Sequence, residues 1–365
     1  MGLMSNYWRL ANFWIGVAAL CLVSLCVGAE EAEPQAGQAA APLFASHAPL
    51  QVTIEAPLTT LMRERPNEEY LPGTFSFTED DGTKRTLDLK LRTRGKYRRE
   101  ERHCDFAPIK LNFRKSQVIG TILDGQDKLK LVTHCRSKKQ SYEQLLLREY
   151  FAYRVIGAIT TSSYGVRLFH IRYVDTEGAE PITKPAFVIE DIDAVAARHG
   201  MQPVRTGHIS SNDLDRRQQN LVHIFQYLIG NTEYSLFKAE PNDHCCHNSD
   251  LMSSTGDAPF TPLAYDFDFA GIVNAPYAEP NPRYKLRSVR QRLYKGLCKN
   301  NDLLPLTLQS FAQKRDEIYA IIDAVESLNR RSERALTRYL NEFYDRIEKP
   351  KSVERRFIWR CNEVR

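Results

Sequence analysis

The chain has 365 residues, with 50 lysines and arginines against 45 aspartates and glutamates, a formal net charge of +5. So small an excess does not indicate a nucleic-acid-binding protein, and we expect no specific nucleic-acid partner. The length after a leader of 29 residues is enough for one large two-lobed domain or two small ones.

The N-terminus is typical of a secretory signal peptide. An apolar run from Phe13 to Gly28 follows the basic residue Arg9, and cleavage is expected after Ala29, which makes residues 1–29 the leader. The alternative is an uncleaved membrane anchor, because the run is near the lower length limit of a spanning helix, and a membrane is a partner only in that case. Residues 30–48 predict a flexible linker. We therefore expect an exported protein, which is periplasmic, at the cell surface or secreted.

Cysteine usage supports export. Two of the 8 cysteines precede the expected cleavage site, and an even number of six remains, which indicates disulfide bonds in an exported chain. Cys104 and Cys135 flank neighbouring candidate strands and are expected to pair. Cys245 and Cys246 are expected to bond elsewhere, because adjacent cysteines do not join easily. A zinc site is the alternative, since histidines lie beside these cysteines, but no CxxC spacing supports it.

The chain order predicts a β-rich first half and a helical second half. Short apolar runs between turns predict strands at Leu50–Glu55, Gly73–Phe77, Thr86–Thr93, Ile109–Phe113, Lys128–Thr133, Gly165–Tyr173 and Ala186–Ile192. Helical spacing of apolar residues predicts helices at Ser141–Ile159, Leu214–Ile229, Leu306–Leu328 and Arg334–Ile347. We divide the chain into a β-rich part at 49–192, an α-rich part at 193–350 and a tail at 351–365.

The stretch 261–272 contains Asp266 and Asp268 between aromatic residues. Strand spacing places both carboxylates on one face, although acidic residues are poor strand formers. This pattern predicts a divalent metal ion bound to phosphates. Upstream lie Glu233 and Asn248, and phosphoryl transfer needs a carboxylate that orients the attacking hydroxyl, an amide that holds metal and a carboxylate at a strand end.

These motifs together resemble the CotH-like (spore-coat) family of atypical kinases, with C-lobe motifs similar to those of HipA-type kinases. The resemblance covers roughly residues 85–275 and rests on the segments Ile229–Glu233, Asn248, Pro262–Asp266, Arg94-Gly95, Pro108–Phe113, Lys128–Val132, Leu147-Arg148, Ile156-Gly157 and Phe187–Asp193. It implies an α+β, two-lobed protein-kinase-like fold, with a β-rich N-lobe containing one helix and an α-rich C-lobe.

The resemblance also implies the cofactors ATP and Mg²⁺ (or Mn²⁺) and their contacts. Lys110 and Arg94 would contact phosphate, an acid at Glu143 or Glu149 would orient Lys110, and Ile189–Asp191, with Glu190 at its centre, would meet adenine through backbone groups. The resemblance also implies that Glu233 is the catalytic carboxylate. It implies that Asn248, Asp266 and Asp268 hold the metal ion.

The implied function is an exported, metal-dependent kinase that transfers the γ-phosphate of ATP to a protein or small-molecule hydroxyl. The family has aspartate where this chain has Glu233, and a displacement near 1 Å can cost about 100-fold in rate. A nucleotide-binding pseudokinase or cell-surface binding module without turnover is therefore the alternative. A third reading is a polyanion-binding surface at the basic run 90–99. Three purely structural roles also stay open as alternatives. They are a helix N-cap for Asn248, an exposed strand charge for Lys110 and a turn position for Asp268.

Overall fold

The structure is a computed structural model that describes residues 41–239 and 244–363. The predicted signal peptide lies outside these residues, as does most of the predicted linker. Within the linker, a 3-10 turn at Pro42–Phe44 buries Leu43 and Phe44, so packed structure begins before residue 49. In the two described stretches, no helix is both long and apolar enough to cross a membrane.

Seven strands form the first sheet, and all but one of their pairings are antiparallel. The strands are β1 (Leu50–Ala56), β2 (Leu71–Thr78), β3 (Lys84–Thr93), β4 (Ile109–Phe113), β5 (Lys128–Val132), β6 (Val166–Asp175) and β7 (Ile182–Ile189). They follow the order β1-β2-β3-β4-β5-β7-β6, and the parallel pairing of β6 with β1 closes the sheet into a barrel. The closure leaves this sheet without a free edge.

Alternation along the strands gives the barrel its filled interior. In β4, Ile109, Leu111 and Phe113 are buried while Lys110 and Asn112 between them are partly exposed. The same period of two recurs in β1 and β3, and the inward side chains form one apolar cluster. Burial of this cluster away from water stabilises the barrel, because the hydrophobic effect scales with the apolar area removed from water.

In chain order the first three helices lie between strands of the barrel, and the others follow its last strand, β7. They are α1 (Leu58–Glu64), α2 (Lys115–Val118), α3 (Gln140–Ile159), α4 (Ile192–Arg198), α5 (Arg216–Ile229), α6 (Leu304–Gln313), α7 (Arg315–Ala324), α8 (Arg330–Ile347) and α9 (Pro350–Arg356). A small second sheet has the order β10-β9-β8, from β8 (Gln202–Val204), β9 (Ser249–Ser253) and β10 (Thr261–Ala264).

The predicted two-lobed kinase-like fold is wrong. The β-rich part is a closed seven-stranded barrel, not a separate lobe. A second apolar cluster joins the outer face of the barrel, at Val132, Val166 and Phe187, to the buried faces of α3, α5 and α8. Because this core is continuous, the described residues 41–239 and 244–363 belong to one compact unit rather than two lobes.

Several predicted elements differ at their ends. The expected helix Leu306–Leu328 is two helices, α6 and α7, which meet at Lys314. The strand expected to run to Ile192 ends at Ile189, and α4 begins at Ile192. The strand expected to contain the two aspartates ends at Ala264, so their common location depends on the loop that follows β10.

Three disulfides lie within the described part of the chain. Cys104–Cys135 forms as expected, and Cys298–Cys361 joins the segment before α6 to the chain end. The expectation that Cys245 and Cys246 would bond elsewhere is wrong, because these neighbours are bonded to each other. Disulfides persist in oxidising compartments, so their presence supports an environment of that kind.

Candidate functional site

A cavity of about 860 Å³ lies between the barrel wall and the second sheet. Seven of the eight predicted site residues line it, namely Arg94, Lys110, Glu149, Glu233, Asn248, Asp266 and Asp268. They come from β4, α3, and the loops after β3, α5 and β10, which are far apart in sequence. The fold therefore brings the predicted residues together, although the fold itself is not the predicted one.

Cationic side chains occupy one cross-strand row on the barrel wall. Lys110 on β4 lies opposite Arg92 on β3 and opposite Lys130 on β5. Like charges directly opposite each other destabilise a sheet, so this row has a local energetic cost that a bound anion would remove. Both lysines line the cavity. Sequence reasoning missed Lys130, and the signal for it was the second lysine at the matching position of the next strand.

Lys110 has a different acidic partner from the one expected. Its Nζ lies 3.6 Å from a carboxylate oxygen of Asp191, the N-cap residue of α4. The expectation that Glu143 or Glu149 would orient it is wrong, because Glu143 accepts a hydrogen bond of 2.7 Å from Lys184 and Glu149 faces Arg98. Burial lowers the pKa of Lys110, and the nearby Lys130 and Arg94 add to this effect while Asp191 opposes it.

Tyr265 connects the basic wall to the loop after β10. Its hydroxyl accepts a hydrogen bond of 2.6 Å from Arg94, and the Nζ of Lys130 lies 4.5 Å from the centre of its ring. The backbone N–H of Arg94 donates to Pro108, which fixes the start of the loop after β3. The two cations thus have defined positions at the cavity wall while both still line the open space.

An acidic cluster lines the same cavity as the basic wall. The guanidinium of Arg98 lies 3.3 Å from Glu149 and 3.9 Å from Asp268, and Tyr277 donates a hydrogen bond of 3.2 Å to Asp268. Burial raises the pKa of Glu149 to about 8, although Arg98 opposes the shift. Burial and then repulsion from Asp266 raise the pKa of Asp268 to about 7. The cluster holds more carboxylates than cations and therefore favours an additional positive charge.

Asp266 and Asn248 both adopt left-handed backbone conformations, with φ of 57° and 49°. The backbone N–H of Asp266 donates to the hydroxyl of Tyr153 at 2.9 Å. The side-chain amide of Asn248 donates to the carbonyl of Glu233 at 2.7 Å, and no hydrogen bond to its Oδ1 comes from the described residues. Asp and Asn adopt this conformation more readily than other non-glycine residues, and here it occurs at two oxygen-bearing side chains that line the cavity.

The loop with Glu233 follows a glycine-terminated helix. Gly230 ends α5 with a φ of 68°, and the side chain of Asn231 accepts a hydrogen bond of 2.9 Å from the N–H of Glu233. The half-buried Lys295 donates to the carbonyls of Thr232 and Tyr234 on either side of Glu233. Burial lowers the pKa of Lys295 to about 7, with a further contribution from Arg283. Sequence reasoning missed Lys295, because nothing in its local sequence connects it to this loop.

Glu190 is the predicted site residue whose side chain the fold directs elsewhere. Its carboxylate is buried, accepts a hydrogen bond from the N–H of Gly165 at 2.8 Å and lies 3.3 Å from Arg198. Its neighbours Ile189 and Asp191 do line the main cavity. The backbone contact with adenine that the resemblance implied for this segment therefore stays a prediction, and the side chain of Asp191 at the cavity pairs with Lys110.

The predicted metal ligands are two carboxylates and one amide, so they do not form a group of three carboxylate or thiolate side chains. Among the residues in 41–239 and 244–363, no group of three or more His, Cys, Asp or Glu side chains is placed to hold a metal ion. The zinc alternative therefore has no ligand set in that part of the chain. Asp266, Asp268 and the amide oxygen of Asn248 form a smaller oxygen set. Mg²⁺ commonly binds through one or two carboxylates and takes its other ligands from phosphate and water.

Comparison with protein-family models and with curated proteins finds no match. The resemblance to the CotH-like family and the activity that it implies therefore stay predictions from the sequence.

Proposed function

We propose that this cavity binds a nucleoside triphosphate together with Mg²⁺ or Mn²⁺ and transfers its terminal phosphoryl group to a protein or small-molecule hydroxyl. One observation carries the proposal. A cross-strand pair of lysines and a group of carboxylate and amide oxygens line the same cavity. A metal–polyphosphate complex has this distribution of charge, since its phosphates need cations and its metal needs oxygen ligands.

The oxygen atoms of the cavity residues suit a divalent metal ion. Asp266 and Asp268 offer carboxylate oxygens, and Asn248 offers an amide oxygen without a hydrogen-bond partner in the described part of the chain. The raised pKa of Asp268 arises from burial beside Asp266, which is a cost that a bound dication would reverse. These are hard oxygen donors of the kind that Mg²⁺ and Mn²⁺ prefer.

Within this proposal the chain's own residues orient the reactants. Lys110 and Lys130 neutralise phosphate oxygens, and Arg94 is held near them by Tyr265. Glu233 accepts the proton of the attacking hydroxyl, whose oxygen forms a bond to the terminal phosphorus as the bond to the leaving diphosphate breaks. The bound metal ion supplies charge neutralisation on the phosphates. Asn231 and Lys295 keep the Glu233 loop in place.

The test compares Asp266→Asn with the native chain and with Asp323→Asn, an exposed aspartate on α7. Mg-ATP at a concentration of about 100 Kd should raise the free energy of unfolding of the native chain by roughly 3 kcal/mol, because it binds only the folded state. The increase should be largely lost in Asp266→Asn and kept in Asp323→Asn. Metal-dependent release or transfer of the γ-phosphate should follow the same order. Equal stabilisation and equal turnover in all three proteins would refute the proposal.

Binding without turnover is the second candidate function. It is favoured by the identity of Glu233, whose side chain is one methylene longer than the aspartate of the family that the sequence resembles. In that case Mg-ATP stabilises the native chain without any phosphoryl transfer, and Glu233→Asp should introduce transfer if only the position of the base is unsuitable.

A further inference from the structure

A second feature lies at the far end of the chain from this cavity and concerns the surface around Trp359. Trp359 exposes 66% of its surface and its neighbour Ile358 exposes 37%, whereas large apolar side chains in this fold are mostly buried. Both belong to a single 3-10 turn at Ile358–Arg360 that directly follows α9. We call residues 349–363 the C-terminal surface.

The turn is held firmly in its exposed position from both sides. On one side, Phe357 is fully buried and packs its ring against Tyr227 and Tyr294, with centroid distances of 4.8 Å and 5.0 Å. On the other side, Cys361 is bonded to Cys298. The fold thus fixes the chain immediately before and after the turn, so the exposure of the tryptophan is imposed rather than a result of a loose chain end.

The C-terminal surface is strongly basic. It contains five basic residues against two acidic ones, a net charge of +3, and these residues are Lys349, Lys351, Arg355, Arg356, Arg360, Glu354 and Glu363. Of the basic residues, only Arg356 is partly buried. Cations and exposed apolar side chains therefore share one short segment.

An apolar groove of about 480 Å³ adjoins the turn. It runs between α6 and the α8–α9 region, and its wall includes Leu304, Leu308, Val353 and Ile358. Two acidic residues line it, Glu348 and Glu354, and Glu348 is already paired with Arg315 at 2.5 Å. The groove is too apolar to attract a hydrophilic polyanion by itself.

We propose that the C-terminal surface docks the protein onto a membrane that contains anionic lipids. A bilayer surface combines negative head groups with an apolar layer directly beneath them, and this surface presents cations beside an exposed tryptophan and an apolar groove. Tryptophan is enriched at membrane–water interfaces, and basic clusters are attracted to anionic lipids. A soluble acidic protein or polyanion would satisfy the charges but would leave Trp359 and the groove in water. The proposal is independent of the function proposed for the main cavity.

The test uses the chain from Glu30 to Arg365, which is the expected processed form and contains all the residues that the structure describes. In this chain Trp359 is the sole tryptophan, because the other two of the 3 tryptophans are Trp8 and Trp14. Its fluorescence therefore reports only on the C-terminal surface. The probes are vesicles of phosphatidylglycerol mixed with phosphatidylcholine and vesicles of phosphatidylcholine alone, at the same lipid concentration.

We expect the emission of Trp359 to shift to the blue with the anionic vesicles and to stay unchanged with the neutral ones. The triple variant Lys351→Gln/Arg355→Gln/Arg360→Gln should bind the anionic vesicles on the order of 100-fold more weakly, since each basic residue near an anionic surface contributes roughly fivefold. The matched control is Lys84→Gln/Lys90→Gln/Arg172→Gln, which removes three exposed charges from the barrel. It should bind within about twofold of the native chain.

A fourth protein, Trp359→Ala, separates apolar insertion from charge attraction in a sedimentation assay. It should lose roughly tenfold in binding, because an apolar side chain no longer leaves water at the membrane. Equal losses in the two triple variants, or no loss on removal of Trp359, would overturn the proposal. So would a blue shift without lipid that grows with protein concentration, which would identify a second copy of the chain as the partner. All substituted residues other than those in the barrel control lie in the exposed tail, and unchanged melting temperatures will verify folding.

Discussion

The cross-strand lysine pair gives the sharpest test of whether the main cavity is built for a ligand. We consider Lys130→Met, which removes one charge from the row and keeps most of the apolar stem. In the ligand-free protein two effects oppose each other. The variant loses the contact of the ammonium with the Tyr265 ring, at 4.5 Å, which contributes about 1 kcal/mol. It also relieves repulsion from the opposite residue Lys110. For the general spacing of roughly 5 Å between opposite side chains of a sheet and an effective dielectric constant between 20 and 80, this repulsion is about 1 to 3 kcal/mol.

The free energy of unfolding without ligand should therefore be unchanged or rise by up to about 2 kcal/mol. The ligand-bound protein should behave differently, because a charge-assisted hydrogen bond to phosphate contributes roughly 1.5 to 3 kcal/mol. That loss corresponds to an increase in the Kd for Mg-ATP of about 10-fold to 100-fold. At a ligand concentration of about 100 native Kd, the stabilisation by Mg-ATP should fall from roughly 3 kcal/mol to about 1 kcal/mol.

Urea unfolding with and without Mg-ATP measures both quantities in one series. The control is Lys90→Met on β3, whose side chain is exposed on the strand that carries the same row. It should keep the full stabilisation by Mg-ATP. If Lys130→Met loses more than about 2 kcal/mol without ligand, the lysine has a structural role. If its stabilisation by Mg-ATP equals that of the control, the reasoning from like-charge pairing to a phosphate site is refuted.

Two further predictions concern stability. The buried His223 lies 2.7 Å from the Tyr234 hydroxyl, and burial lowers its pKa to about 3. Since the unfolded chain binds a proton at this histidine near pH 6.5, the contribution of neutral His223 to the free energy of unfolding is complete above that pH. It should decline by roughly 1 kcal/mol per pH unit toward pH 3. Urea unfolding should find this slope reduced in His223→Phe. In the same assay Gly230→Ala should lower the free energy of unfolding by roughly 2 to 4 kcal/mol, because the added Cβ would lie 1.9 Å from the Tyr339 hydroxyl at a φ of 68°. The control Gly207→Ala, which has open space around it, should change the free energy of unfolding by less than about 0.5 kcal/mol.

Local patterns predicted the elements of the first half well. The strand at Ile109–Phe113 and the helix that ends at Ile159 agree with the structure to within a residue, because alternation and helical spacing are set by which face each element buries. The closure of the sheet was not predictable in the same way. It depends on the parallel pairing of β6 with β1, and no local signal in Leu50–Ala56 or Val166–Asp175 specifies a partner that is more than a hundred residues away.

The site shows the same division between local and long-range information. Asp266 and Asp268 were found from their unusual place among apolar residues, but the assumed reason for their common face was wrong, because the strand ends before them. The left-handed turn at Asp266 and the hydroxyl of Tyr153 place them instead. Lys130 and Lys295 were missed because their roles arise from register and from burial beside a distant loop.

The two walls of the cavity are informative because each is unfavourable without the other. Lysines 110 and 130 repel each other on the barrel, and the carboxylates of Glu149 and Asp268 are buried with a single guanidinium, that of Arg98, between them. A fold selected only for stability has no need of either arrangement, since apolar side chains at the same positions would avoid both costs. A ligand that carries negative charge toward the lysines and positive charge toward the carboxylates relieves both at once. This pairing of costs is a stronger reason for a metal–polyphosphate ligand than any one of the sequence motifs.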